Sequence, residues 1–407
     1  MNHTTTLSPQ RTTLITWILL CLMPIIGMAV DLLAPALPPM ANSLHIANSL
    51  VQDLISIYLL GYAFGNFFAG LIADAYGRKP LLIMALLGFI ITSFLPILFP
   101  NITLLLLSRL LQGISLGFVA VVIRAVFSDI LCTDQLVRMG TWIGTMWGLG
   151  PVIGPVIGGY LTFYLGWQSC FEFLALITLI GLITVWGVVP ETHHHHHRKP
   201  LSFSSTKHNI TEVFRSKLFL GIVVVMGTAY SLLITFQTTA PFLIQNVMGN
   251  SPVFFGHLAL YLGIVFLIAT FVGRGLLKKY PVDKLLSVSI PTATVIAVLS
   301  LGASYCFSHS IVLISIASAL MFFACGFIFP LSAGKGLALS KKMSIVANAM
   351  MFLMNILITS LTSFIVSFFT AQSAVLLTGI YVALLLIAMV VYWGMVRQKN
   401  GGLRAAH

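Results

Sequence analysis

Two ionisable side chains stand where the surrounding sequence is apolar. Asp31 ends the run ITWILLCLMPIIGMAV, and Arg109 interrupts ITLLLLSRLLQGISLGFVAVV. A charge in hydrocarbon is costly, so such residues handle ions or substrate or are paired. Asp31 lies a few residues before the outer end of a first membrane span, and Arg109 a few residues after the outer start of a fourth, at similar depth. They are expected to pair at a central cavity, with Asp31 exchanging a proton. A purely structural pair is the weaker reading, because apolar packing can replace a pair that only holds helices together. Glu172, just inside the outer end of a sixth span, is either a second protonatable site or a group at the water boundary. Arg124 and Asp129 flank the inner end of the fourth span and are assigned to an inner-gate charge network. Asp53 opens the second span as an interfacial helix-start residue. Lys335 nears the inner end of the tenth span, where snorkelling to water is preferred over contact with substrate.

Backbone chemistry concentrates in the fifth span. Gly144, Gly148, Gly150, Gly154, Gly158 and Gly159 crowd it with Pro151 and Pro155, in GTMWGLGPVIGPVIGGY. Glycines four apart let helices approach closely, and proline removes a donor and bends the helix. So dense a run predicts a bent helix that slides or seals against a partner in the other half, beyond ordinary packing. The five cysteines (Cys21, Cys132, Cys170, Cys306, Cys325) show no metal-ligand spacing and read as small apolar fillers. No metal site and no cofactor are expected.

The elements that position these residues follow from composition. Of 407 residues, 58% are hydrophobic and 7% charged, with a mean hydropathy of +1.03. A soluble domain carries roughly 25% charged residues. A soluble enzyme, a nucleic-acid binder and a disordered chain are all excluded, and lipid is the main solvent. Apolar runs place spans at approximately 12–36, 51–73, 80–99, 102–126, 140–163, 168–189, 217–240, 254–277, 285–307, 310–334, 345–369 and 372–396. The first reads as a span and not as a signal peptide, for the run continues past Val30 without a small-residue cleavage site.

Arg109, Arg124 and Lys335 apart, every Lys and Arg falls in loops after even-numbered spans or at the two ends. That asymmetry predicts cytoplasmic N- and C-termini, residues 1–11 and 397–407. It also explains the net charge of +12 without a polyanionic partner. The polar stretch 190–216 is expected to be a cytoplasmic, His-rich linker between two six-helix halves, 12–189 and 217–396. The halves echo each other at Gly70-Leu71-Ile72 with Arg78-Lys79-Pro80-Leu81-Leu82, and at Gly275-Leu276-Leu277 with Asp283-Lys284-Leu285-Leu286. A duplicated unit with a substrate site between the halves is a transporter architecture. The fold expected is an all-α polytopic membrane protein of about twelve helices.

These residues resemble the major facilitator superfamily. Gly70-Leu71-Ile72-Ala73-Asp74-Ala75-Tyr76-Gly77-Arg78-Lys79-Pro80 is similar to its loop 2–3 signature, motif A. The resemblance implies that Asp74 caps a helix of the other half and Arg78 joins a charge relay. Both stabilise the outward-facing state, with Gly70, Gly77 and Lys79 completing the motif. Arg109-Leu110-Leu111-Gln112-Gly113 resembles motif B, whose arginine is tied to proton coupling. Gly150 to Gly159, with Gly154, Pro155 and Gly158, resembles motif C, the antiporter signature. A narrower similarity is to the Bcr/CflA drug-resistance subfamily of drug:proton antiporters. It rests on Asp31-Leu32-Leu33-Ala34-Pro35-Ala36-Leu37-Pro38, Tyr58 to Ala63, Arg124-Ala125 with Asp129, and Ala240-Pro241-Phe242. The chain departs from that subfamily at Asn66, Gln168 and Lys335.

The resemblance implies a monomeric, proton-coupled exporter of a drug or native metabolite, working by alternating access in a bacterial-type inner membrane. Its partners are a small-molecule substrate, protons and the lipid bilayer. Siderophore transport, as export before import, is the alternative. A membrane-embedded enzyme or sensor lacks support, since no paired catalytic motif, nucleotide loop or metal constellation occurs. The run His193 to His197 reads as low-complexity loop. Deleting it is expected to leave transport and thermal stability nearly unchanged. A large loss of activity reversed only by added zinc marks a metal site instead.

Overall fold

Apolar runs of this length can satisfy their backbone polar groups in lipid only as helices. The computed structural model of the chain describes residues 8–192, 214–343, 345–369 and 372–397, and within them it is helical throughout. The first span is α1 (Pro9–Asp31), a 3-10 turn (Ala34–Ala36) and α2 (Leu37–Leu44). Eleven more follow: α3 (Asn48–Tyr76), α4 (Arg78–Leu98), α5 (Ile102–Ile130), α6 (Thr133–Leu165), α7 (Gln168–Val188), α8 (Lys217–Phe242), α9 (Pro252–Leu276), α10 (Val282–Cys306), α11 (Ile311–Met343), α12 (Ile345–Ser367) and α13 (Ala374–Val391). Eleven of the twelve spans have the length and apolarity to cross a bilayer. The remaining one, α3, runs 29 residues and is charged only at Asp53 and Asp74. The expected spans coincide with these helices to within a few residues, except that the first span reaches Leu44 and the fifth and tenth continue further at their inner ends. The His193–His197 run and most of the tails and linker lie outside the described residues, as do the side chains of Gly70 and Asp74.

Two six-helix halves pack against each other. Within the first, α3 and α4 pack on α5, α1 on α6, and α4 on α7; within the second, α8 packs on α11 and α12, and α10 on α13. Between the halves, α3 packs along α12 and α6 along α9. Twelve helical passes bring the first and last described residues to the face at which α7 ends and α8 begins. We call it the linker face, and the opposite one the far face.

The break after α1 has a local cause. Pro35 and Pro38 lack backbone N–H donors, so the helix cannot run through them unbroken. The carbonyl of Pro35 is left to accept from Gln245 Nε2 in the other half at 3.0 Å. Asp31 is therefore the last residue of α1, at an unwound point facing the second half.

The fifth-span glycines divide their work. An added Cβ on Gly150 would sit 2.7 Å from the Gly27 carbonyl carbon, and one on Gly154 3.2 Å from Leu32 N. On Gly158 it would strike the Leu32 carbonyl. All three close α6 onto α1 of the same half. Gly159, one residue on and about 100° around the helix, instead meets Pro252 O of α9 at 2.6 Å. Gly256 answers from α9, where a Cβ would lie 2.6 Å from Pro155 O. Of the glycines expected to seal α6 against the other half, Gly158 packs on α1 instead, and Gly159 with Gly256 makes the contact between halves. Gly158→Leu is expected to lower the melting temperature sharply, since overpacking costs about 1–3 kcal/mol or more. Gly159→Leu should retain more stability but lose transport per folded molecule. Thermal unfolding in detergent beside vesicle flux separates the two, and equal behaviour of both variants contradicts the division.

Candidate functional site

Arg109 is fully buried on α5. Its Nη2 donates to Ala29 O on α1 at 3.0 Å, its Nε to Leu54 O on α3 at 3.3 Å, and its Nη1 to Gln112 Oε1 at 2.8 Å. The guanidinium lies 4.2 Å over the ring of Tyr58. Gln112 extends the chain to Ser93 Oγ on α4 at 3.0 Å. This convergence needs helices in contact, and glycines provide it. A Cβ on Gly113 would lie 2.7 Å from Tyr62 N, and one on Gly117 2.7 Å from Asn66 N. Gly61 and Gly65 of α3 meet the α5 backbone in return. Spacing of four along both α3 and α5 was the available signal for this seam.

Asp31 does not pair with Arg109. The arginine's donors are taken by carbonyls and an amide inside its own half, whereas Asp31 faces Gln237 of α8 across the interface. Asp31 is 1% exposed, and its Oδ1 has no hydrogen-bond partner among the described residues. Gln237 Oε1 likewise has none.

On the far side of this level the halves are joined by polar contacts. Gln52 Nε2 donates to Thr238 O at 3.1 Å, Ser56 Oγ to Ser363 Oγ at 3.0 Å, and Ser360 Oγ to Ser56 O at 2.7 Å. Ser367 Oγ donates to Asp53 Oδ1 at 2.7 Å. Asp53 is thus a bond between halves and more than an interfacial helix start. On the linker side lies a cavity of about 270 Å3, bounded by Met23, Tyr58, Tyr62, Asn66, Arg124, Trp147, Tyr230, Phe329, Phe352 and Asn355 among others. Trp147 of the first half and Tyr230 of the second stand 6.0 Å apart across it.

At the linker face the charges are braced within each half. Arg78 Nε meets Asp129 Oδ2 at 3.4 Å, and Thr192 Oγ1 donates to the same oxygen at 2.9 Å. Glu191 accepts from the backbone N–H groups of Arg78 and Lys79 at 3.0 and 3.2 Å, capping α4. Lys79 Nζ donates to Trp186 O at 2.8 Å. Gly77, at φ 103°, makes the turn between α3 and α4 in a conformation that favours glycine. Glu191 was missed in the sequence, where it reads as the first charge of the linker. In the second half Lys335 reaches the half-exposed Asp283 at the linker-face start of α10 and is not among the residues that line the cavity. Arg78 and Asp283 begin equivalent helices, α4 and α10, and Asp129 and Lys335 lie on equivalent helices, α5 and α11. The two braces match in position with the signs reversed.

Arg124 and Asp129 do not join one network. Five residues on a helix turn through about 140°, so Asp129 faces α4 while Arg124 faces the cavity. Arg124 Nη2 donates to Asn66 Oδ1 at 2.9 Å, and its Nε to Ala120 O at 3.0 Å. Glu172 is exposed on α7, in a surface groove with Phe94 and Leu176, and does not line the cavity.

The profile of the Major Facilitator Superfamily matches residues 19–342. The chain belongs to this superfamily. It is a multi-pass secondary transporter, similar to bacterial efflux-type facilitators. The bicyclomycin resistance protein homolog of Haemophilus influenzae is 24% identical over 272 residues, 67% of this chain and 68% of that protein. Multidrug resistance protein MdtL of Escherichia coli O157:H7 is 29% identical over 220 residues, 54% of this chain and 55% of the relative. Among solved structures, the D-xylose-proton symporter superposes with a TM-score of 0.73 at 14% identity, covering 96% of this chain and 99% of that one. That likeness is one of fold.

The reversed braces of this facilitator make a direct test. Asp283→Lys places two cations together and is expected to lower the melting temperature. Adding Lys335→Asp should recover most of the loss, with a coupling of about 0.5–3 kcal/mol in a double-mutant cycle. Additive losses in thermal unfolding would show that the pair carries no energy.

Proposed function

We propose that the protein is a proton-coupled antiporter of the Bcr/CflA type that exports a small molecule from the cytoplasm across a bacterial inner membrane. The basic residues on the linker face make that face cytoplasmic. The cavity then lies on the cytoplasmic side of a layer sealed toward the outside, in position to load cargo for export.

The observation that carries the coupling is Asp31. It is a buried carboxylate with no cation paired to it among the described residues, at the broken end of α1, against Gln237 of the opposite half. A lone charge in a layer without water costs several kcal/mol, and a neutral acid does not. The Gln237 amide can donate to the ionised form and accept from the protonated one. Closing the far side is therefore tied to a proton on Asp31, and losing that proton to an encounter with water. Arg109 positions α1 through Ala29, two residues away, and so sets where Asp31 stands. The Arg78–Asp129 brace, the Glu191 cap and the Gly77 turn hold the inner end of α4, and the α6–α9 seam through Gly159 is the surface on which the halves rock. Glu172, at the outer boundary of α7, stands outside this path. A siderophore-type cargo is the second reading, favoured by the cation Arg124 in the cavity.

Asp31→Asn should fold and insert but lose export driven by a pH gradient, by roughly tenfold or more in flux per folded molecule. Flux in proteoliposomes with and without an imposed gradient measures this. Gradient-driven export that survives the substitution removes Asp31 from the mechanism.

A further inference from the structure

The cavity carries more information about its cargo than its size. An apolar cavity of about 150 Å3 holds benzene, so about 270 Å3 accommodates a compact molecule of one or two fused rings. Its walls are mainly apolar and aromatic, and among the described residues its one charged lining side chain is Arg124. Arg124 spends Nε on Ala120 O and Nη2 on Asn66 Oδ1 and lies 5.6 Å over the ring of Phe352. Its Nη1 has no partner among the described residues, and no carboxylate there pairs with it. Asn355 and Tyr58 also line the cavity, and their Oδ1 and Oη, buried just beneath its wall, lack hydrogen-bond partners among the described residues. An unpaired buried acceptor is costly and calls for a donor.

We propose that the cargo is a small hydroxylated aromatic anion. Its acidic group is received by Arg124 Nη1, its ring stacks between Trp147 and Phe352, and its hydroxyl satisfies Asn355 and Tyr58. A cation of the same size finds no acidic group in the cavity and meets Arg124 instead. The assignment rests on the transporter reading above and narrows it to one class of substrate.

The test is equilibrium binding to the full chain in detergent, without a gradient, read by quenching of tryptophan fluorescence. The probes are 3-hydroxy-2-naphthoate, 2-naphthoate lacking the hydroxyl, and the cation N-methylquinolinium. The hydroxy acid should bind best, the plain acid more weakly, and the cation at least roughly tenfold more weakly than the hydroxy acid. Arg124→Gln should weaken the hydroxy acid by roughly 10- to 100-fold and leave the cation unchanged or improved, while Arg124→Lys should keep the preference for anions. Equal binding of anion and cation by the wild type overturns the proposal, even if Arg124→Gln does not fold. So does unchanged binding of the acid by a folded Arg124→Gln variant. No proton gradient enters this assay, so binding and gradient-driven export are read separately on the wild-type chain. Failed coupling with intact charge selection then counts against proton coupling alone, and failed charge selection with intact coupled export counts against the substrate class alone.

Discussion

A guanidinium buried in a lipid-embedded bundle, with no carboxylate to meet it, needs acceptors on several sides at once. Arg109 finds them in the carbonyls of Ala29 and Leu54, the Gln112 amide and the face of Tyr58. Those acceptors come from α1, α3 and α5, so the three helices must approach to backbone contact. Gly61, Gly65, Gly113 and Gly117 make that approach sterically possible. One buried charge thereby fixes the packing of the first half. Because backbone oxygens satisfy Arg109, Asp31 is left over, and the break imposed by Pro35 and Pro38 turns it toward the second half.

The interface between halves is built differently from the halves themselves. On the far side it is a polar layer of serine, threonine, glutamine and Asp53, whose hydrogen bonds can be exchanged for water when the layer opens. Along α6 and α9 Gly159 and Gly256 set backbone against backbone, a smooth contact that favours sliding. The charged braces stay within each half at the linker face. Each half is thus tied internally by bonds that are costly to break, and the halves are tied to each other by bonds that water replaces. That distribution suits rigid-body rocking in a secondary transporter.

The cavity follows the same logic. Polar groups with partners at this level serve the frame: Arg109, Gln112, Asn66 through Oδ1, and Ser93. Among the described residues, the groups without partners there are Asn355 Oδ1 and Tyr58 Oη, on residues that line the cavity, and one arm of Arg124. A frame with satisfied hydrogen bonds beside a lining with unsatisfied ones marks where a ligand belongs.

The sequence by itself determined the helices, their number and their approximate ends, because apolar length and the need to satisfy backbone groups in lipid are local properties. It also determined which residues are unusual: Asp31, Arg109, Arg124 and the fifth-span glycines stand out against 7% charge and an apolar background. Tertiary structure alone decided what each of them touches. Opposite charges at equal depth suggested that Asp31 and Arg109 pair, but depth says nothing of azimuth, and Arg109 points into its half while Asp31 points out of it. Arg124 and Asp129, close in sequence, part because five residues turn a helix to another face. Gly158 and Gly159, adjacent in the chain, serve opposite sides of α6 for the same reason. Glu191 reads as linker charge until the start of α4 is brought beside it. Contact across helices depends on rotation about each axis and on which neighbour lies there, and that is set by packing between segments far apart in sequence.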